Sequence, residues 1–310
     1  MYISSKMDTI NTNGIDKNLH DSPFRLGSSN VDWCEPNYVV SAYISEFWNT
    51  VSNIFFFLVP PLMIALFASY SKRTANGISV LWILLIIIGT GSVYFHATLS
   101  LAGQLVDEIS ILWVLMAGYA LFLPATYFPQ SLRVQRALYK WGVTHNSGQR
   151  RFVYSCIVLT MIITCLSIIY PYANAFALMI LGLPAIAFLA VHLSKCDNRR
   201  IKNLGIHCLG MWAIAVTVWI CDRTFCSFWL SISFPYLHSI WHVLILFSSN
   251  EAIVVCAYLL IKYQYPQANL MLHVWPNEEW GSFSLPYLKF HDDANYLSST
   301  SNSFATKSIV

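Results

Sequence analysis

The residues ISVLWILLIIIGTGSVYFHATLS, numbered 78–100, decide the fold class of this chain, because they include no Asp, Glu, Lys or Arg. A helix needs about 20 predominantly apolar residues to cross a hydrocarbon core of about 30 Å. The stretch is long enough for such a crossing. It therefore predicts a membrane-spanning helix.

The composition of the whole chain agrees with this prediction. Of its 310 residues, 56% are hydrophobic and 11% are charged, whereas an average soluble protein has about 25% charged residues. These values exclude a disordered chain and a small disulfide scaffold, and nothing in them suggests a nucleic-acid partner. Apolar stretches of sufficient length predict seven spans, at about residues 46–69, 78–98, 105–124, 152–170, 175–194, 203–222 and 237–262.

The predicted fold is an all-α membrane protein, a seven-transmembrane helix bundle, in three parts. Residues 1–44 form a polar N-terminal segment, residues 45–262 the membrane domain, and residues 263–310 a tail with amphipathic parts and the flexible end SSTSNSFATKSIV. The loops on the N-terminal side of the membrane carry one basic residue, Arg223, whereas the other side carries eleven: Lys72, Arg73, Arg133, Arg136, Lys140, Arg150, Arg151, Lys195, Arg199, Arg200 and Lys202. Since basic loops stay in the cytosol, we expect a lumenal or external N-terminus and a cytosolic C-terminus.

Polar residues inside the spans are costly, and each is a functional hypothesis by default. Residues of three spans share one predicted depth near the N-terminal side of the membrane: Ser92, His96 and Ser100, which are four apart on one face of the second span, Asp107 at the start of the third, and His238 and His242 at the start of the seventh. Alternation of the span directions brings them to this common level without any assumption about the fold.

This set of side chains suits a zinc ion. Three neutral imidazoles with an open fourth position form the donor set of a catalytic zinc site, and two histidines one turn apart, such as His238 and His242, can chelate one ion. Together with His96 they predict an intramembrane zinc site. Asp107 could orient a ligand histidine or carry protons, and Ser92 could complete the ligand set or hold a substrate oxygen.

Other ionisable residues in the spans have simpler interpretations. An isolated membrane histidine often only hydrogen-bonds a neighbouring helix, which we expect of His192 and His207. Glu251 lies midway along the seventh span, too far from the histidine pair to share its ion, and either pairs with another helix or is neutral. Asp222 ends the sixth span near the predicted zinc level, where the adjacent Arg223 offers a pairing partner.

Three ordered blocks of the sequence form a larger pattern: WCEPNYVVSAYISEFWNTVSN at 33–53, GSVYFHATLSLAGQLVDEISILW at 91–113 and YLHSIWH at 236–242. The pattern resembles the alkaline ceramidases, seven-span enzymes related to the adiponectin receptors, and VWPNEEWGSFSLPYL at 274–288 resembles the tail of some members. The resemblance implies a zinc-dependent intramembrane amidase of the endoplasmic reticulum or Golgi. It would hydrolyse ceramide to sphingosine and a fatty acid and be regulated by calcium, with membrane lipids around it and no obligatory protein partner.

The resemblance also implies roles for single residues. The zinc ligands would be His96, His238 and His242, with Ser92 and Asp107 acting on the attacking water and the scissile amide, Trp241 lining the substrate pocket, and Tyr170 as the candidate for a tyrosine that takes part in the family. From the residues alone, the acidic block before the first span is a solvated patch. The resemblance makes it a calcium site, with the side chains of Asp32, Glu35, Asn37 and Glu46 and the backbone carbonyl of Trp33 as ligands.

Two of the eight cysteines, Cys34 and Cys226, lie in segments predicted to be lumenal, where oxidation is permitted. We predict that they form a disulfide that ties the calcium block to the loop before the seventh span. The alternative is that Cys34 stays free.

Three other functions fit part of the pattern. A seven-span G-protein-coupled receptor would not need three histidines and an acid at one depth, and a transporter would favour internal repeats, which the sequence does not have. A zinc-containing lipid receptor of the adiponectin-receptor type, with weak hydrolase activity, could share the whole set of residues.

Overall fold

A computed structural model describes residues 22–74, 77–123, 147–277, 279, 281 and 284–291. Part of the N-terminal segment, the loop cations Arg133, Arg136 and Lys140, and the end of the tail lie outside the described residues.

Within these described ranges, seven helices are long and apolar enough to cross a membrane: Phe47–Leu66, Ser79–Thr98, Leu101–Phe122, Arg150–Ile169, Tyr172–Ser194, Arg199–Thr224 and Leu237–Gln264. We refer to them as the first to the seventh span. The predicted seven-helix fold is confirmed. The third and sixth spans begin about four residues earlier than the apolar pattern indicated, because polar residues at a helix end do not stop the helix.

The first span changes its geometry close to its start. It consists of a helix at Phe47–Val51, a 3₁₀ turn at Ser52–Ile54 and a second helix at Phe55–Leu66. The side chains of Ser52 and Asn53 both donate hydrogen bonds to the carbonyl oxygen of Asn49. Such local bonds compete with regular helix geometry, and the turn directs both side chains toward the seventh span.

A tight turn joins the second and third spans. The second helix ends at Thr98, and Leu99 takes a left-handed conformation with φ of 47°. Ser100 begins the third helix as its N-cap, with its hydroxyl accepting from the amide of Gly103. The prediction that Ser100 shares a helix face with His96 is therefore wrong, because a hydroxyl at this position caps the next helix instead.

Two glycines let the second and third spans approach each other. A Cβ atom on Gly91 would lie 2.9 Å from the backbone nitrogen of Asp107, and one on Gly103 would lie 2.8 Å from the Cα atom of Phe95. These contacts are with backbone atoms, which cannot rotate away. The absence of a side chain at Gly91 thus places Asp107 against the turn of the second span that carries Ser92.

The largest apolar core lies among the first, second, sixth and seventh spans, with fully buried side chains that include Met63, Phe67, Trp82, Leu85 and Leu246. The indole nitrogen of Trp82 donates to the side-chain oxygen of Asn250 at 3.2 Å, so that the core also contains a satisfied polar contact. The packing of these spans holds the starts of the first and seventh helices at one end of the bundle.

A β-hairpin follows the seventh span. Strands β1, Leu270–Trp275, and β2, Leu285–Phe290, pair antiparallel, with Leu272 opposite Leu288. Leu270, Leu285 and Leu288 are buried in the same apolar core. The sequence indicated only amphipathic parts in this tail, because Pro286 and the short length of both runs conceal the alternation of strands.

Candidate metal centre

The three histidines of the predicted zinc site lie together inside the bundle. Each offers a ring nitrogen, and these nitrogens all lie within 4.8 Å of one another. Exposure is 0% for His96, 2% for His238 and 1% for His242. The i, i+4 spacing puts His238 and His242 on one face of the seventh span, and the last turns of the second span bring His96 to them.

Hydrogen bonds orient two of the three rings. The Nδ1 atom of His96 lies 2.5 Å from an oxygen of Glu46, and the Nδ1 atom of His242 lies 2.7 Å from the hydroxyl of Ser52. A partner on one ring nitrogen fixes the ring and leaves the other nitrogen available to a metal. The sequence suggested Asp107 as the residue that orients a ligand histidine. In the structure, Glu46 and Ser52 make these orienting contacts instead.

The ring nitrogens that remain without a strong partner fit a metal ion. Among the described residues, the buried Nε2 atom of His96 and the Nδ1 atom of His238 have no hydrogen-bond partner, and the Nε2 atom of His242 lies 3.4 Å from the hydroxyl of Ser92. Burying polar atoms without partners is costly, and a cation at their common centre would remove that cost. The donor set is one that zinc accepts.

Ser92 and Asp107 lie beside the histidines, as predicted from their common depth. The hydroxyl of Ser92 lies 3.4 Å from the Nε2 atom of His242, and the carboxyl group of Asp107 lies close to the same hydroxyl. Both residues are buried. A carboxylate in this water-poor place can accept a proton and pass it on.

The ring of His238 is held between two indoles. Trp33 stacks on it with ring centroids 3.7 Å apart and planes 19° apart, and Trp241 stacks with centroids 5.0 Å apart and planes 24° apart. Trp33 belongs to the N-terminal segment, so this segment contacts the histidine cluster directly. Trp241 lies against the histidine cluster, and its assignment to the substrate pocket remains a prediction.

The predicted calcium ligands converge in the N-terminal segment. The amide of Asn37 donates to both oxygens of Asp32, and the carboxyl groups of Asp32 and Glu46 lie close to each other. Glu46 also accepts from the backbone amide of Trp33 at 3.0 Å. Both oxygens of Glu35 accept backbone amides at the start of the first span.

Burial raises the pKa of the carboxyl groups of Asp32, Glu35 and Glu46, and the nearby charge of Glu46 raises the first two further. No lysine or arginine within the described ranges forms an ion pair with them. Acidic groups packed together without a cationic side chain suit a divalent cation with oxygen ligands.

The predicted disulfide is present. Cys34 and Cys226 are bonded, with their Cα atoms 5.3 Å apart. Cys226 starts a short helix, Cys226–Ser231, between the sixth and seventh spans. The bond therefore attaches the N-terminal segment to the connection that leads to His238.

The remaining polar residues separate into those near the site and those away from it. The side chain of Tyr170 is 63% exposed on the bundle surface, and its assignment as a catalytic residue remains a prediction. Glu251 accepts from His207 with both oxygens at 2.9 Å, which confirms pairing with another helix. Asp222 accepts backbone amides of Cys34 and His238, so that pairing with Arg223 is not its main contact.

Nothing in the sequence indicated Ser52, and the sequence indicated the level of Asp222 without its backbone partners. Ser52 lies at the end of the first block, residues 33–53, but its partner is 190 positions away. From the sequence, Asp222 is only a charged residue near the predicted zinc level. An ionisable residue inside a span usually has a pairing or hydrogen-bonding partner, but the sequence alone does not identify that partner.

The chain is similar to known proteins over most of its length. A family model described as Ceramidase matches residues 25–289. The chain is 41% identical to the alkaline ceramidase of Drosophila melanogaster, over 89% of this chain and 93% of that protein. It is 39% identical to alkaline ceramidase 1 of Homo sapiens, over 88% and 98%, and 40% identical to alkaline ceramidase 1 of Mus musculus, over 88% and 94%.

Proposed function

The chain belongs to the ceramidase family and is a ceramide hydrolase, and we propose that its catalytic group is a zinc ion held by His96, His238 and His242. The observation that carries this proposal is the convergence of three buried ring nitrogens within 4.8 Å. Family membership favours the enzyme over the receptor and transporter alternatives.

Asp107 and Ser92 are the residues we assign to proton transfer. Zinc, when bound, would supply Lewis acidity to the amide carbonyl and to the attacking water. Asp107 takes a proton from that water while the water oxygen bonds to the carbonyl carbon. As the carbon–nitrogen bond breaks, Asp107 returns the proton to the amine of the departing sphingosine, and the acyl group leaves as a fatty acid. Ser92 lies close to Asp107, where its hydroxyl can hold the carboxylate in position.

A lipid substrate explains why these groups lie within the spans. The two hydrocarbon chains of ceramide can stay in apolar surroundings while the amide reaches the polar cluster. We assign Trp241 to the wall of this pocket because it stacks on His238. Tyr170, at the end of the fourth span, remains the proposed tyrosine of the family. We place the protein in endoplasmic reticulum or Golgi membranes, as the family resemblance suggests. The N-terminus would be lumenal, an orientation that the distribution of basic loop residues supports.

We assign calcium regulation to the acidic block, with ligands from Asp32, Glu35, Asn37, Glu46 and the carbonyl of Trp33. Glu46 supports the link to catalysis, because one oxygen accepts from Trp33 and the other contacts His96. A cation on this carboxylate would therefore fix the group that orients a zinc ligand. Coupling of this kind needs no movement of the spans.

Activity and metal content of the purified protein test the zinc proposal. We expect about one zinc per chain and release of equal amounts of sphingosine and fatty acid from ceramide at alkaline pH. Removal of zinc with a chelator should stop the release, and added zinc should restore it. Full activity in protein without zinc would contradict the proposal.

Asp32→Asn should weaken activation by calcium. The substitution removes one carboxylate charge from the proposed ligand set, and calcium affinity follows the number of charged ligands. We expect the calcium concentration for half-maximal activity to rise by at least about tenfold, which corresponds to about 1.4 kcal/mol.

The matched control is Asp197→Asn, an exposed aspartate just before the sixth span. It loses the same charge and should keep the calcium response of the unmodified protein. Equal calcium responses in both variants would show that Asp32 is not a ligand. Titration of sphingosine release against buffered calcium gives the measurement.

A further inference from the structure

Asp222, in the last turn of the sixth span, connects two distant parts of the backbone. Its side chain is 0% exposed. One carboxylate oxygen accepts from the amide of Cys34 at 3.1 Å, and the other accepts from the amide of His238 at 3.2 Å. The two donors are separated from Asp222 by 188 and 16 residues, so this contact exists only in the folded chain.

The amide of His238 belongs to the first turn of the seventh span, where a helix has donors without acceptors. Tyr236, at the N-cap position, makes no side-chain capping bond, and the first turn contains no acidic residue. The sixth span therefore supplies the acceptor and the negative charge that a helix N-terminus favours. Asp222 acts as the cap of a helix to which it does not belong.

The residue after Asp222 supports the ring of the same histidine. The guanidinium of Arg223 lies 5.3 Å from the ring of Trp33, and Trp33 stacks on His238 at 3.7 Å. The disulfide from Cys34 to Cys226 joins the residue after Trp33 to the short connection that follows the sixth span. Consecutive residues of the sixth span thus contact the backbone of His238 directly and its ring through one indole.

We propose that Asp222 is a positioning residue of the metal centre. By holding the first turn of the seventh span, it fixes His238 and, one turn later, His242 relative to His96 on the second span. This inference rests on the proposed zinc site and adds a residue to it. Asp222 touches neither the metal nor the substrate.

A buried carboxylate between the sixth and seventh spans could also serve stability alone, and Glu251 provides the comparison. It lies in the seventh span and accepts from His207 of the sixth span at 2.9 Å, outside the histidine cluster. Asp222 and Glu251 therefore join the same two helices, one at the metal level and one away from it.

The test compares Asp222→Asn with Glu251→Gln in the full-length protein loaded with zinc. We expect Asp222→Asn to lose zinc to a chelator at least about tenfold faster than the unmodified protein, in line with the loss of a group that orients a ligand. Glu251→Gln should lower the melting temperature and leave zinc loss unchanged. Equal zinc loss from Asp222→Asn and Glu251→Gln would overturn the inference.

A second measurement needs no variant. In the unmodified protein stripped of zinc, the amide of His238 should remain protected from hydrogen exchange, because Asp222 still accepts it. Exchange at the rate of a free helix end would overturn the inference even if Asp222→Asn does not fold. If the unmodified protein holds no zinc when it is loaded, the zinc proposal itself fails, and this inference fails with it.

Discussion

His96→Ala is expected to abolish both zinc binding and ceramide hydrolysis. Its ring is fully buried, one nitrogen contacts Glu46, and the other faces the centre without a partner. Loss of this ligand leaves two imidazoles, whereas catalytic zinc sites have three protein ligands. Because a catalytic metal ion contributes several kcal/mol of transition-state stabilisation, we expect activity to fall by at least about 10³-fold.

The control for this prediction is His192→Ala. His192 lies in the fifth span and contacts the carbonyl of Phe188 in its own helix, away from the metal centre. It should keep zinc and activity. The measurements are zinc per chain and sphingosine release from protein that elutes as one species. His96→Ala protein with normal zinc content and full activity would refute the ligand assignment.

The seven spans and the level of the site were predictable because both follow from local patterns. Hydropathy marks each crossing, and alternation of direction then places His96, Asp107 and His238 at one depth. Helical spacing alone puts His238 and His242 on one face. These arguments need no knowledge of which helices are neighbours.

The partners of the site residues were not predictable, because they depend on how the spans pack. Glu46 was expected to bind calcium, yet it also contacts His96 across 50 residues. The carboxylate of Asp222 accepts backbone amides, which every residue possesses and no sequence pattern identifies. Ser100 was assigned to the wrong helix because a left-handed residue, Leu99, ends the second span before it.

Gly91→Ala is expected to remove most of the activity and leave the zinc in place. The new Cβ atom would lie 2.9 Å from the backbone nitrogen of Asp107, so the third span must move away from the second. His96 is on the same helix as Gly91 and should keep its position as a zinc ligand. Asp107, on the third span, should move away from Ser92 and from the substrate. Since a misplacement of about 1 Å can cost about 10²-fold in rate, we expect kcat to fall by about that factor.

Gly118→Ala on the third span is the matched control, because a Cβ atom there meets no atom within 4 Å. Alanine is favoured over glycine in a helix by about 1 kcal/mol, so this variant should be as active as the unmodified protein and no less stable. Steady-state kinetics with zinc analysis separates the two variants. Normal kcat in Gly91→Ala would mean that Asp107 tolerates displacement, which is incompatible with its proposed role in carrying the proton. Loss of both zinc and activity would instead show that the histidines are displaced. Retained zinc with a lowered kcat is therefore the result that assigns proton transfer to Asp107 on the third span.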